Sequence, residues 1–163
     1  MRHAGHVLAS AILIAGVSIA GTAAFGHDAP VPSDQTTQIN PAAKTYFTQG
    51  EDLAKKKSWE GAIQAYSQAV RLDPKFAEAW NNMGYCYRKV KQFDKALDAY
   101  KHALTLKPDF TYAHEYMART YVAMGNKDAA MREYDILRRL DPKMADELLK
   151  AIQASNADLG DTD

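Results

Sequence analysis

Cysteine is nearly absent from this 163-residue sequence, and neither sign of charge predominates. The lone Cys86 cannot form an intramolecular disulfide, nor by itself build a zinc or iron–sulfur site, so stability has to come from packing. Basic and acidic residues balance at 20 each, which removes the electrostatic argument for nucleic acid or an anionic membrane as the main partner. The length allows one folded domain and excludes a large multidomain enzyme.

Sequence signatures of catalysis and cofactor binding are also missing. The sequence contains no G-x-S-x-G, Walker, C-x-x-C or G-x-G-x-x-G motif. His114-Glu115 begins like a zinc-protease motif, but Ala118 stands where that motif needs its second histidine. We therefore predict a protein without catalytic activity, metal site or cofactor.

Charged residues are absent from residues 3–26, which contain the apolar run VLASAILIAGVSIA. With Arg2 before this run and small residues after it, the layout predicts a secretory signal peptide over residues 1–26. An uncleaved membrane anchor is the alternative, and it is the one way in which we expect the protein to contact a membrane. Both interpretations place the remainder in an extracytoplasmic compartment, the bacterial periplasm or the extracellular space. Residues 27–42, rich in Pro, Ser, Thr, Gln and Asp, are predicted to form a flexible linker.

A period of 34 residues organises the chain that follows. It relates three prolines and, in the same register, three tyrosines and three small residues: Pro74, Pro108 and Pro142; Tyr66, Tyr100 and Tyr134; Gly50, Gly84 and Ala118. Three repeats therefore occupy residues 43–76, 77–110 and 111–144. Within each repeat, apolar residues recur at helical spacing in two segments separated by a short polar connection, which predicts an antiparallel helix pair.

The middle repeat carries the pattern W-x2-M-G-x2-Y from Trp80, followed by Ala96, Tyr100 and Pro108, and it resembles the tetratricopeptide repeat (TPR). The resemblance implies an all-α fold, a right-handed α-solenoid of three helix-turn-helix units. Departures from the pattern at Gln49 and His114 predict looser packing in the first and third repeats.

Two segments follow the repeats. Residues 145–155 place apolar side chains on one helical face and are predicted to form a capping helix over the third repeat. Residues 156–163 are acidic and unpatterned, so they are predicted to be disordered.

In proteins that this chain resembles, the first helices line a concave groove that holds ligand peptides. The candidate site consists of positions that flank the buried stripe of these helices: Lys44, Phe47, Glu51, Asn81, Asn82, Tyr85, Arg88, Tyr112, Tyr116 and Arg119. Asparagine amides can pair with an extended peptide backbone, and tyrosines combine an apolar body with a polar tip. The basic clamp of chaperone-binding TPR proteins is not expected, because Phe47, Glu51, Tyr112 and Tyr116 occupy most of its sites.

These observations predict a non-catalytic interaction module that binds a peptide or protein segment in the groove. Basic residues outnumber acidic ones in residues 43–144, so an acidic ligand is favoured over a basic one, and nucleic acid is not expected. The alternative is a membrane-anchored structural subunit that uses its convex or terminal surfaces. Cys86 is interpreted as a small packing residue, with a reactive or intermolecularly bonded thiol as the open alternative.

Overall fold

The computed structural model describes residues 38–157 as seven α-helices without a strand. The helices are α1 (Pro41–Lys55), α2 (Trp59–Leu72), α3 (Ala77–Lys89), α4 (Phe93–Leu106), α5 (Thr111–Ala123), α6 (Lys127–Leu140) and α7 (Pro142–Ala157). This architecture confirms the all-α repeat fold. The predicted signal peptide, residues 27–37 of the predicted linker and the tail from residue 158 lie outside the described residues. None of the seven helices is sufficiently long and apolar to cross a bilayer.

Consecutive helices pack as pairs, α1 with α2, α3 with α4 and α5 with α6, and each pair contacts the next. The first helices of the second and third pairs, α3 and α5, also touch directly. This arrangement places the first helices side by side along one face, which is the geometry of a helical-repeat groove.

Two helices begin earlier than predicted: α1 begins at Pro41 rather than at residue 43, and α7 begins at Pro142 rather than at residue 145. Helix α1 begins at Pro41, because the Asn40 side chain accepts a hydrogen bond from the Ala42 amide at 2.9 Å. Helix α7 begins at Pro142, where the Asp141 carboxylate accepts a hydrogen bond from the Met144 amide at 3.0 Å. It packs on both α5 and α6, with buried Leu148 and Ile152, so it covers the end of the third pair.

The same turn ends the first helix of every pair. Lys57, Lys91 and Gly125 occupy equivalent positions and have positive φ angles of 58°, 61° and 74°. The amide one residue later donates to the carbonyl five residues back in each case, for example from Gln92 to Tyr87 at 2.9 Å. These are Schellman turns, which satisfy the last carbonyls of the helix and redirect the chain into the second helix.

Within a pair, the two helices approach closely where a glycine faces a tyrosine ring. A Cβ atom added to Gly50 would lie 2.7 Å from Tyr66 Cε1, and one added to Gly84 would lie 2.7 Å from Tyr100 Cε1. Both rings are buried. In the third pair Ala118 fills the glycine position, and the equivalent Tyr134 is only half-buried.

A ring nitrogen at the large-residue position of each later first helix bonds to the preceding proline carbonyl. Trp80 Nε1 donates to the Pro74 carbonyl at 3.0 Å, and His114 Nε2 makes the equivalent 3.0 Å contact to Pro108. His114 Nδ1 also lies 2.7 Å from the Glu133 carboxylate, and both side chains are buried. The looser packing predicted for the third repeat is therefore not found at His114 itself, where a buried contact with Glu133 replaces the aromatic residue, but it is found at the helix crossing, where Tyr134 is only half-buried. Gln49, by contrast, is exposed, whereas the equivalent Met83 and Met117 are buried.

We predict that an added methyl group at Gly84 destabilises the protein although alanine favours helix. The new Cβ of Gly84→Ala would meet the Tyr100 ring at 2.7 Å and the Ala96 carbonyl oxygen at 3.1 Å. Gly84→Leu adds more volume and should lower the free energy of unfolding by about 1–3 kcal/mol through overpacking. Urea denaturation followed by circular dichroism measures both effects.

Gly61→Ala is the control variant. Its added Cβ meets the rotatable Ser58 hydroxyl at 3.0 Å, so the free energy of unfolding should stay the same or rise by up to about 1 kcal/mol. Equal midpoints for wild type and Gly84→Leu would contradict the packing.

The His114–Glu133 pair predicts pH-dependent stability. Burial alone lowers the pKa of His114, but the hydrogen bonds to Glu133 and to the Pro108 carbonyl, together with the Glu133 charge, raise the pKa overall. Both acceptors need a donor, and the imidazolium form of His114 satisfies them together, so folding favours that form. The stabilisation is complete below the unfolded pKa of about 6.5 and is lost as the pH rises through the higher folded value.

Unfolding free energies of wild type and Glu133→Gln, measured between about pH 6 and pH 9, test this expectation. The advantage of the wild type over the variant should be greatest at the acidic end and should shrink with rising pH. A difference that does not change with pH would show that the pair does not titrate as described.

Candidate functional site

A cavity of about 330 Å³ opens on the face formed by the first helices. Its walls come from α1, α3 and α5 and from the start and middle of α2. The lining residues are Glu51, Ala54, Lys55, Trp59, Tyr66, Asn82, Tyr85, Cys86 and Tyr116. The 34-residue period brings these positions together, because equivalent helices present equivalent faces to the same side of the array.

Aromatic side chains form a continuous series along this face, which we call the aromatic ladder: Trp59, Tyr85, Tyr116 and Tyr112. The Trp59 and Tyr85 ring centroids are 6.0 Å apart in an edge-to-face contact, and those of Tyr85 and Tyr116 are 5.3 Å apart. Tyr116 and Tyr112, four residues apart on α5, follow at 6.2 Å. Such spacings are favourable for aromatic pairs, so the ladder is a preformed apolar surface.

Two cations accompany the ladder at the last turn of α3. Lys89 Nζ lies 5.3 Å from the Trp59 ring centroid and 5.7 Å from that of Tyr85. Arg88 Cζ lies 5.4 Å from the Tyr85 centroid. The Tyr85 ring is therefore in cation–π contact with both side chains.

Two cavity tyrosines, Tyr66 and Tyr116, have a raised pKa. Burial raises the pKa of Tyr116, and the charge of Glu115 raises it further, while the nearby Arg88 guanidinium lowers it in part. Burial likewise raises the pKa of Tyr66, against a smaller opposing effect of a hydrogen bond with Asn82. These phenols therefore present hydroxyl groups rather than charges to a ligand.

Two predicted groove residues lie in the protein interior instead. Asn81 is only 3% exposed, and its side-chain amide donates to Asn82 Oδ1 at 3.1 Å. Phe47 is half-buried and packs against Phe76 and Tyr66, with ring centroids 4.7 Å and 5.6 Å apart. Phe47 is covered by Tyr66 from the middle of α2 and by Phe76 from the connection between α2 and α3, and a stripe pattern for α1 alone does not include either element.

The other predicted residues divide between the cavity and its surroundings. Glu51, Asn82, Tyr85 and Tyr116 line the cavity, and Arg88 lies beside it against Tyr85. The remaining three lie outside the cavity: Lys44 on α1, Tyr112 at the far end of the ladder and Arg119 on α5. Tyr112 is 51% exposed, and Arg119 donates to the Glu115 carboxylate at 2.8 Å.

Five cavity residues were not among the predicted ones, namely Ala54, Lys55, Trp59, Tyr66 and Cys86, and Trp59 is the one of them that belongs to the aromatic ladder. It is the first residue of α2, outside the first-helix positions that defined the predicted groove. The sequence did contain one signal for it, because Trp59 is a large aromatic residue directly after a polar connection between two helices. Cys86, at the base of the cavity, is fully buried, and burial raises the pKa of its thiol to about 12. That environment favours the interpretation of Cys86 as a packing residue.

The described residues contain no cluster of three or more His, Cys, Asp or Glu side chains arranged to hold a metal ion. His114 and Glu133 are in hydrogen-bond contact between α5 and α6, but neither residue lines the cavity. What the cavity offers is aromatic surface, one amide and nearby cations, which is chemistry for binding.

Family models match the repeats in succession. A model described as tetratricopeptide repeat matches residues 77–110, another of the same description matches residues 112–143, and a TPR repeat model matches residues 50–91. No curated protein sequence matches the chain significantly.

Solved structures share the fold. The first TPR of Spaghetti (RPAP3) bound to the HSP90 peptide SRMEEVD is 22% identical with a TM-score of 0.66, covering 71% of this chain and 94% of that chain. The TPR2B domain of yeast Sti1 in its pHsp70 complex is 20% identical with a TM-score of 0.68, covering 73% and 99%. MamA is 26% identical with a TM-score of 0.60, covering 64% and 61%.

Three successive model matches, a 34-residue helix-pair period and these structural similarities agree. The chain belongs to the tetratricopeptide repeat proteins, whose repeats are protein-interaction modules.

Proposed function

We propose that this protein is a non-catalytic, extracytoplasmic interaction module that binds a peptide or protein segment on the groove face of its three helix pairs. The observation that carries the proposal is the aromatic ladder beside the cavity of about 330 Å³. Preformed aromatic surface with a few polar groups suits a peptide, because little conformational entropy is lost when such a surface binds.

The structural neighbours support a peptide or protein ligand in general terms. Two of the similar structures contain peptides or complexes with HSP90 or Hsp70 according to their descriptions. This chain differs from chaperone-binding TPR proteins at the positions of the basic clamp, where it has Glu51, Tyr112 and Tyr116, so we do not extend those ligands to it.

A second function is favoured by a separate observation. The last residues of α2, α4 and α6 are Leu72, Leu106 and Leu140, at equivalent repeat positions, and they are 41%, 40% and 40% exposed. Such a row of leucines on the second helices is suited to stacking on a neighbouring protein. The protein would then be a structural subunit whose groove is not used.

Site-specific photo-crosslinking separates the two functions. We expect p-benzoyl-phenylalanine at Tyr85 or Tyr112 to give a discrete adduct with a partner in native extract, because both side chains belong to the aromatic ladder. The same group at Leu106 is the matched control on the second helices. Adducts from Leu106 with none from either tyrosine would favour the structural subunit.

The proposed location rests on the apolar, uncharged segment within residues 1–26. We expect the intact mass of the protein from its native host to lack residues 1–24 or 1–26, since small residues precede both Phe25 and His27. The variant Ile14→Lys interrupts the apolar run and should retain the full N-terminus. A full-length wild-type protein in the membrane fraction would instead indicate an uncleaved anchor, and a full-length one in the cytosol would contradict export.

A further inference from the structure

Arg88 is a half-buried cation without a carboxylate partner among residues 38–157. Its Nε atom is buried and has no hydrogen-bond partner among these residues. Arg119, on the next first helix, donates to the Glu115 carboxylate at 2.8 Å. A buried N–H group without a partner is unfavourable, and buried polar atoms left unpaired call for an explanation such as a bound ligand.

The surroundings of Arg88 are tyrosines rather than acids. The guanidinium lies 5.4 Å from the Tyr85 centroid, and it is close enough to Tyr100 and Tyr116 to lower the pKa of each against the larger effect of burial. Among the described residues, the buried Tyr100 hydroxyl and Arg88 Nε make no hydrogen bond of good geometry, although the two side chains are close enough for the guanidinium to lower the pKa of Tyr100. The tyrosines therefore satisfy Arg88 only weakly.

Lys89 adds a second positive charge at the same place. Its ammonium group contacts the Trp59 and Tyr85 rings, and no carboxylate among the described residues lies within ion-pair distance of it. Arg88 and Lys89 are in the last turn of α3, and this accounts in part for their presence, since cations stabilise helix C-termini. It does not explain why both cations lie against the aromatic ladder.

The α1 side of the cavity carries both signs of charge, because Glu51 and Lys55 line it and Lys55 Nζ lies 3.4 Å from the Asp52 carboxylate. Arg88 and Lys89 stand at the α3 end next to Tyr85, and neither has a carboxylate partner among the described residues. A ligand carboxylate is therefore better placed beside α3 than beside α1. Between them, the Trp59, Tyr85 and Tyr116 rings enclose space suited to an apolar side chain.

We infer that the groove recognises a protein segment in which an apolar side chain occupies the aromatic cavity and an Asp or Glu within two residues of it pairs with Arg88 and Lys89. This inference rests on the proposed function, because it specifies the ligand of the same groove. Arg88 and Lys89 lie 5.4 Å, 5.3 Å and 5.7 Å from the centroids of the rings that they contact, and two residues of extended chain span about 6–7 Å, so an acidic side chain within two residues of the apolar one can reach these cations.

Selection from a phage-displayed random heptapeptide library tests the inference with the full chain as bait. We expect wild-type protein to enrich peptides that carry an acidic residue within two positions of Leu, Ile, Met or Phe. The double variant Arg88→Gln/Lys89→Gln should retain the apolar preference and lose the acidic one. Arg138→Gln, which removes an exposed arginine next to Asp135 on α6, is the matched control and should select like wild type.

An enriched peptide, labelled with fluorescein, then gives the coupling by anisotropy. Replacing its acidic residue by the corresponding amide should weaken binding to wild type by about tenfold or more and leave binding to the double variant nearly unchanged. Equal losses for both proteins would overturn the pairing. Thermal melts of the variants establish that each is folded.

The outcomes also separate the inference from the proposed function. Apolar peptides without acidic enrichment, whose binding is lost in Tyr85→Ala, would overturn the inference and leave the groove as the binding site. Peptides whose binding is insensitive to both Tyr85→Ala and the double variant would overturn the proposed function, and the inference with it.

Discussion

The contact between a residue with little or no side chain and a tyrosine ring determines how closely the two helices of each pair approach. Gly50 against Tyr66 and Gly84 against Tyr100 leave no room for a Cβ atom. The first two pairs share this contact at the same position of the 34-residue period, and the second helix of the first pair packs on the first helix of the second pair. In the third pair, Ala118 and a half-buried Tyr134 relax this contact, and the buried His114–Glu133 pair contributes an interaction that the first two pairs do not have.

The groove obtains its character from positions that the packing leaves free to vary. Glu51, Tyr85 and Arg119 are equivalent in the repeat, yet they are an acid, an aromatic residue and a base. The backbone supplies the same geometry at each step, whereas the side chains make the two sides of the cavity unlike. The repetitive scaffold therefore carries a surface with a direction, and under the proposed function this asymmetry would favour one orientation of a bound peptide.

The sequence predicted the fold well, because period, apolar stripes and turn residues all indicate the same helix pairs. Prediction was weaker for the site. A stripe pattern separates the buried face of a helix from its exposed face. It does not show whether residues at the edge of the stripe are exposed, because that depends on the elements that pack against the helix, as Phe47 and Asn81 show. Trp59 lines the cavity although it belongs to α2, a second helix. Whether Arg88 Nε has a hydrogen-bond partner among the described residues depends on distances between helices, and the spacing of residues along the sequence does not contain these distances.

The turns after α1, α3 and α5 use the same hydrogen bonds although their left-handed residue is Lys57, Lys91 or Gly125. A Cβ atom at Gly125 would meet no atom within 4 Å, so glycine there serves only the backbone angle. The two lysines adopt that angle at a cost of about 1–2 kcal/mol each. Main-chain hydrogen bonding, not side-chain identity, thus specifies the junction. The side chain at this surface position can therefore differ in size and charge from one repeat to the next while the second helix begins at the same place in each.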